Sequence, residues 1–404
     1  SETCNPIYRS MRTITIHHSF AQTLRSIFTD GGALLFCIVV PLLYPVLYSL
    51  IYNGENVREV PVTVVDDCHS PLSRDYIRRL DATPDVRVVF HATDMLAAQQ
   101  QIKAREVYGI IRIPADFQDA LMQGRQTHVQ AYCDMSGMLY YKAILTANTD
   151  VSLDMNAEVK VADLGGNPIA MASGIHGGTD EQRSVLQHPV RYESVALYNA
   201  QNGFASFLIP AVLVLVIQQT MLLGIGLIAG TRRARGLKID GAVGAFATLT
   251  GPALAFITVY IPVSAYVLCV VPAIFHLPQI GSLWHLAMLM LPFLVAVFNL
   301  GITTATLARQ RETVFILIVF TSVPLLFLTG VSWPGAAFPE FWHWFAMLFP
   351  STHGANAYIR IYAMGATLAD VRHEYLMLWA LAAFYALTAW LSVRHVFRER
   401  KAKA

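Results

Sequence analysis

Long apolar runs separated by short charged breaks constrain this chain more than any other feature. They cover 31–52, 202–230, 243–275, 283–308, 313–331 and 375–396, and a helix of about 20 apolar residues is what crosses ~30 Å of hydrocarbon. A chain with six such runs cannot wrap them all around one water-facing core. With 55% hydrophobic residues, 14% charged residues and a mean hydropathy of +0.46, most of its surface must be solvated by lipid. The expected fold class is an α-helical membrane protein with six transmembrane helices. The formal net charge of +2 offers nothing to nucleic acid, because Arg and Lys gather at the borders of the runs rather than on one basic face. No nucleic-acid partner is expected, and the lipid bilayer is the first partner.

Residues 1–30 mix charge with Phe20, Leu24, Ile27 and Phe28 at helical spacing, beside Arg9, Arg12 and Arg25. This predicts an amphipathic helix in the membrane interface. The run at 31–52 is too long for the apolar region of a cleaved signal, and no small-residue cleavage pattern follows it. It holds Pro41 and Pro45, which predict a kink rather than an end.

Between residues 53 and 201 the composition changes to that of a water-soluble α/β domain. Strands are predicted over 60–66, 86–90, 107–113 and 127–132, and helices over 70–80, 94–105, 115–123 and 139–161. Alternation of this kind predicts a small, largely parallel sheet. Residues 163–191 read as a loop leading back to the membrane. Cys68 and Cys133 each follow a predicted strand, and in an all-parallel layer both emerge at the same edge. A disulfide between them and a pair of unpaired thiols are both open.

Positive charge sets the orientation. Arg232, Arg233, Arg235 and Lys238 lie between runs two and three, Arg309 and Arg311 between four and five, and Arg394 to Lys403 at the end. With Arg9, Arg12 and Arg25 they fall on one side of a six-span chain, which the positive-inside rule makes cytoplasmic. Both termini are expected there, and the 53–201 domain outside.

The stretch after run five is broken. Thr329-Gly330-Val331-Ser332-Trp333-Pro334 leads to a Trp-rich segment, 341–349, then Pro350 and a helix reaching Gly365. Three prolines, Pro334, Pro339 and Pro350, cut the helical ladder, and Trp333, Trp342 and Trp344 favour the headgroup level. Broken backbone survives at that depth only where protein or water satisfies the freed groups. The segment 333–350 is expected to dip without crossing. This order, with Gly330, Trp333, Pro334, Trp342 and Pro350 as its markers, resembles the signature of type-2 ABC exporter permeases.

The resemblance covers nearly the whole chain and implies a homodimer, or a pair with a related permease, in a bacterial inner membrane. It also implies a separate ABC ATPase subunit that carries ATP and Mg, and it admits a periplasmic adaptor. In that family the loop after the second span holds a coupling helix, so Arg232, Arg233, Arg235 and Lys238 are the expected ATPase contacts. This loop lacks the Glu and Gly-Thr of the family pattern. The residues themselves agree on energy: no Gly-rich loop ending in Lys-(Ser/Thr) occurs, and no carboxylate or Lys sits at the centre of a run. No cofactor is expected in this chain, nor any catalytic residue. The 13 histidines show no ligand spacing, so no metal is expected either. Gln218, Gln219, Asn299 and Thr303 are the polar residues inside the runs that would mark a translocation path; the plainer role is hydrogen bonding between helices. The alternative to an exporter is a non-transporting scaffold or sensor whose outer domain binds a ligand or partner.

Overall fold

The computed structural model describes residues 6–52, 57–123, 125–134, 138–165, 203–234, 244–277, 279–307, 311–333 and 338–403. The chain divides into two compact units, 56–195 and the remainder.

The smaller unit is built from β1 (Val60–Asp66), α3 (Pro71–Asp81), β2 (Val86–His91), α4 (Met95–Lys103), β3 (Gly109–Ile113), α5 (Phe117–Met122), β4 (Gln130–Cys133) and α6 (Met138–Gly165). The sheet order is β2-β1-β3-β4. Central strand β1 is Val-rich because both its faces are covered: Val62 and Val64 pack with Tyr76, Leu80, Ile111 and Ile144, and Val65 packs with Ala98 of α4 and Ile110. Ser70 and Ser73 form a capping box at α3, and Asp94 caps α4 by accepting from the Ala97 N–H at 2.7 Å. Where α3 meets α6, the buried Tyr76 hydroxyl lies 2.6 Å from Asn148 Oδ1.

The expected parallel layer holds for β2, β1 and β3. Strand β4 instead runs antiparallel to β3, with Cys133 opposite Gly109, while Asp66, two residues before Cys68, is opposite Ile113. The two cysteines therefore lie at opposite ends of β3. Four residue steps at ~3.3 Å each separate those ends by about 13 Å, whereas a disulfide needs its Cα atoms within ~7 Å. Both are free thiols, which corrects the same-edge expectation. Burial pushes the Cys133 thiol above its ordinary range. Peptide mapping of thiol-blocked, unreduced protein is expected to return both residues as blocked thiols; a cross-linked Cys68–Cys133 peptide would refute the register.

The larger unit comprises α1 (Pro6–Thr29), α2 (Gly31–Ile51), α7 (Phe204–Ala234), α8, α9 (Leu283–Leu307), α10 (Arg311–Leu328), α11 (Glu340–Ala346), α12 (Pro350–Met364) and α13 (Arg372–Lys403). Helix α8 runs through Gly244–Ala265, Tyr266–Val270 and Val271–Ile274. Among the described residues five helices are long and apolar enough to cross a membrane: α2, α7, α8, α9 and α13. Helix α10 is shorter than its apolar run because Gly330, at φ 81°, turns the backbone left-handed just after Thr329.

Helix α7 is the axis, its apolar stretch wholly buried. Helix α10 lies antiparallel along it: Leu215 packs with Leu325 and Leu328, and Gly226 faces Val314. A Cβ on Gly226 would stand 2.3 Å from Val314 Cγ1, so the missing side chain sets this close approach.

Two of the helices contain a wide π-turn. In α2 the Val40 N–H reaches back to the Leu35 carbonyl, and in α8 the Val271 N–H reaches back to Tyr266. Each turn ends two residues before a proline, Pro41 and Pro272, whose ring would collide with the carbonyl four residues earlier in a regular helix. Pro272 has no N–H to give the Leu268 carbonyl; the Tyr358 hydroxyl donates to it instead, at 3.0 Å.

One end of this unit is tied by polar contacts. Asp30 accepts from the Gly32 and Ala33 amides through Oδ1 and from the Thr231 hydroxyl through Oδ2, Arg232 donates to Thr23 Oγ1 at 2.7 Å, and Arg233 donates to the Ala305 carbonyl at 2.6 Å. The predicted interfacial helix α1 thus packs against the end of α7. Its residues Ile16 and Ser19 also sit against Gly251 of α8, where a Cβ would stand 3.0 Å from the Ile16 carbonyl.

Candidate functional site

The broken stretch after α10 is the part of the larger unit whose construction demands most of its neighbours. The Thr329 hydroxyl turns back onto the Leu326 carbonyl at 2.6 Å, and Gly330 reverses the chain. Residues 340–346 then make barely two turns of helix, α11, which presents Phe341, Trp342 and Trp344 outward. Only Ala346 turns inward, onto Leu215, Leu325 and Leu328. Phe349 is extended, at φ −100° and ψ 128°, as a residue before proline prefers, and Pro350 opens α12.

Each break frees backbone groups, and side chains of the same unit take them up. Helix α12 begins without a cap of its own. Gln218, fully buried on α7, supplies one: its Oε1 accepts from the Ser351 N–H at 2.8 Å, and its Nε2 donates to Ser351 Oγ at 3.0 Å. His353 Nε2 lies 3.0 Å from the Met347 carbonyl and so carries the ring proton. Tyr385 of α13 donates to the Leu348 carbonyl at 2.6 Å, and Asn356 Nδ2 donates to the Thr329 carbonyl at 3.1 Å. These bonds satisfy the condition for irregular backbone away from water.

The far end of α12 is held as firmly. Gly365, at φ 70°, ends the helix; the Ile280 and Gly281 amides donate to the Tyr362 carbonyl at 3.0 and 3.2 Å. Arg360 pairs with Glu374 of α13 at 2.8 Å. Midway, Gly354 lets α12 approach α7 and α9, since a Cβ there would stand 2.8 Å from the Phe293 ring.

The expected path residues separate sharply. Gln218 is spent on Ser351. Asn299 donates to the Val295 carbonyl, and Thr303 bonds the Asn299 carbonyl and the Thr388 hydroxyl of α13. Gln219 is different: it is 9% exposed, and neither amide atom has a hydrogen-bond partner among the described residues. It shares the α7 stripe of Leu215 and Gly226, four residues after one and seven before the other, on the face turned to α10. Of the expected ATPase contacts, Arg232 and Arg233 are bonded within the unit, while Arg235 and Lys238, like Pro334 and most of the 163–191 loop, lie outside the described residues.

The sequence reading missed Ser351, His353, Asn356 and Tyr385. The polar cluster Ser351-Thr352-His353 directly after Pro350 was the available signal, because the first turn of a helix has amides to satisfy. Nothing local marks Tyr385.

A family model described as ABC-2 family transporter protein matches residues 32–391, which begins within α2, ends within α13 and leaves out α1. The chain belongs to this family. An ABC-2 chain is the membrane component of a transporter. It is also 21% identical over 390 residues to ABC transporter G family member 20 of Dictyostelium discoideum, an alignment covering 92% of this chain and 48% of that protein. The chain thus spans about half the length of the curated relative it matches.

Proposed function

We propose that the chain is the permease subunit of an ATP-driven exporter. The observation that carries this reading is the broken 329–365 element, in which the Thr329, Met347 and Leu348 carbonyls and the Ser351 amide are held by side chains of α12, α13 and α7. Six crossings fit α10 lying antiparallel along α7, a geometry that carries it through the same depth of membrane. The end tied by Asp30, Arg232 and Arg233 is cytoplasmic, in keeping with its positive charge, and the 56–195 unit is extracytoplasmic. The host membrane is a bacterial inner membrane. A separate ABC ATPase, holding ATP and Mg, docks at the arginine-rich end, through Arg235 and Lys238 in particular. A second copy of the chain faces the exposed stripe Ile316, Phe320, Val323 and Phe327 of α10, whose spacing matches one helix face. A periplasmic adaptor is a further partner.

Gln219 is the residue of the path. A buried amide without partners costs stability, about 1–3 kcal/mol, and persists where function needs it. The test is ATP-driven uptake of a panel of amphiphilic dyes into inside-out vesicles carrying the chain and its ATPase. Uptake is expected only with both subunits. Gln219→Leu is expected to raise the melting midpoint while lowering uptake. Uptake that proceeds without the ATPase would overturn the permease reading, and unchanged uptake in Gln219→Leu would remove Gln219 from the path.

A further inference from the structure

The smaller unit carries a cleft of about 550 Å³ at the carboxyl ends of its parallel strands β1 and β2, beneath α3. That is the place where an open parallel sheet leaves a crevice between diverging loops, and the volume lies within the usual range for small-molecule sites. The floor is apolar, made of Val64, Ile77, Val88 and Ala92, and the rim carries His69, Arg74, Arg78 and His91.

Three features show how the chain assembles this rim. Strand β2 has a bulge: Val88 is opposite Val62, yet Phe90 is opposite the next residue, Thr63, and His91 is opposite Val64. The extra residue, Val89, re-aims the strand, so that Val88 and His91 both line the cleft, which an unbroken two-residue alternation would forbid. His69 is held at φ 49°, a left-handed conformation that a non-glycine residue seldom adopts. What holds it there is Asp66, whose Oδ1 accepts from the Cys68 and His69 amides at 3.0 and 3.1 Å while Oδ2 accepts from Ser73 Oγ at 2.7 Å.

The balance of donors and acceptors then decides what the cleft takes. Both Asp66 oxygens are spent on the loop, and Asp81 Oδ1 accepts from the Val88 amide at 2.8 Å. Arg78 is paired with Asp75. Arg74 bonds the Ser70 carbonyl through Nε alone, which leaves its terminal nitrogens available, and the rings of His69 and His91 make no hydrogen bond among the described residues. The cleft therefore offers unspent donors above an apolar floor. Its acceptors are fewer: among the described residues Asp81 Oδ2 has no hydrogen bond, and each neutral histidine ring adds one acceptor nitrogen, while the terminal nitrogens of Arg74 are a fixed cationic fork that a ligand acceptor can meet.

We propose that this cleft binds a small amphiphilic anion, a molecule with one carboxylate or phosphate group and a short apolar body. The acid is held by Arg74 with His91 and His69, and the apolar body lies on Val64, Ile77 and Val88. The site is separate from the transport reading and stands whether or not the larger unit exports anything.

The experiment uses the full chain in phosphatidylcholine nanodiscs, with empty discs as reference. Binding of hexanoate and of phenyl phosphate is measured by ligand-observed NMR, with hexanol as the neutral control. Hexanoate or phenyl phosphate is expected to bind about tenfold more tightly than hexanol, since a charge-assisted bond to Arg is lost in the alcohol. The stronger of the two names the acid group. The double variant Arg74→Ala/His91→Ala, whose side chains are exposed, is expected to keep the melting midpoint and lose about tenfold in affinity. Ala92→Trp, which fills the cleft, is expected to abolish binding. Equal binding of acid and alcohol, or an affinity untouched by both variants, would overturn the proposal.

Discussion

Replacing Gln218 by leucine is expected to lower the melting midpoint of the purified chain by roughly 6–12 °C and to remove transport. The isobutyl group fits the buried site but accepts and donates nothing. The Ser351 amide and hydroxyl, both buried, then lose their partner, and α12 starts without a cap. Leaving a buried polar group unpaired costs about 1–3 kcal/mol. A loss of about 3 kcal/mol for the two groups converts at 2–4 °C per kcal/mol for a unit of this size. A Gln218→Leu chain that melts like the wild type would show that the cap is not what holds α12.

The second large effect falls on Arg232 and Arg233. Changing both to glutamine is expected to lower the melting midpoint by roughly 4–8 °C, because hydrogen bonds from charged groups to Thr23 and to the Ala305 carbonyl are lost. At partial exposure the pair is worth about 2 kcal/mol. From the sequence these arginines are expected ATPase contacts as well as markers of the cytoplasmic side. In the structure both also bond within the chain, so the fold is expected to loosen at the junction of α1, α7 and α9. Thermal unfolding followed by tryptophan fluorescence, with the chain purified without any partner, detects this loosening. An unchanged midpoint would return both residues to a docking role alone.

How far the sequence carries depends on whether a feature is periodic or paired. The Val60–Asp66 strand, the Ser70-capped helix and the apolar runs were legible because their signals repeat along the chain. The sense of β4 was not, since a four-residue strand has no pattern that distinguishes parallel from antiparallel pairing, and the cysteine expectation went with it. Helix α10 came out shorter than its run because the left-handed Gly330 stops it, although Thr329-Gly330 was already visible as a motif. The break itself was legible from Pro339 and Pro350, which stand at the starts of α11 and α12. Its completion was not: Gln218 and Ser351 are 133 residues apart, and Tyr385 and Leu348 are 37 apart. Such pairs are defined only once the bundle is folded. The same holds for Gln219, which differs from Gln218 by one position and a 100° turn of helix.

The central claim is that an ABC ATPase drives this subunit, and the most direct measurement is to capture the full chain from its own membranes in mild detergent and assay ATP hydrolysis by what comes with it. The account predicts a P-loop ATPase recovered in near-equal amount with the chain, with Mg-dependent hydrolysis that falls when Arg235 and Lys238 are replaced by glutamine. A chain recovered with its melting midpoint intact but with neither an ATPase nor hydrolysis would contradict it.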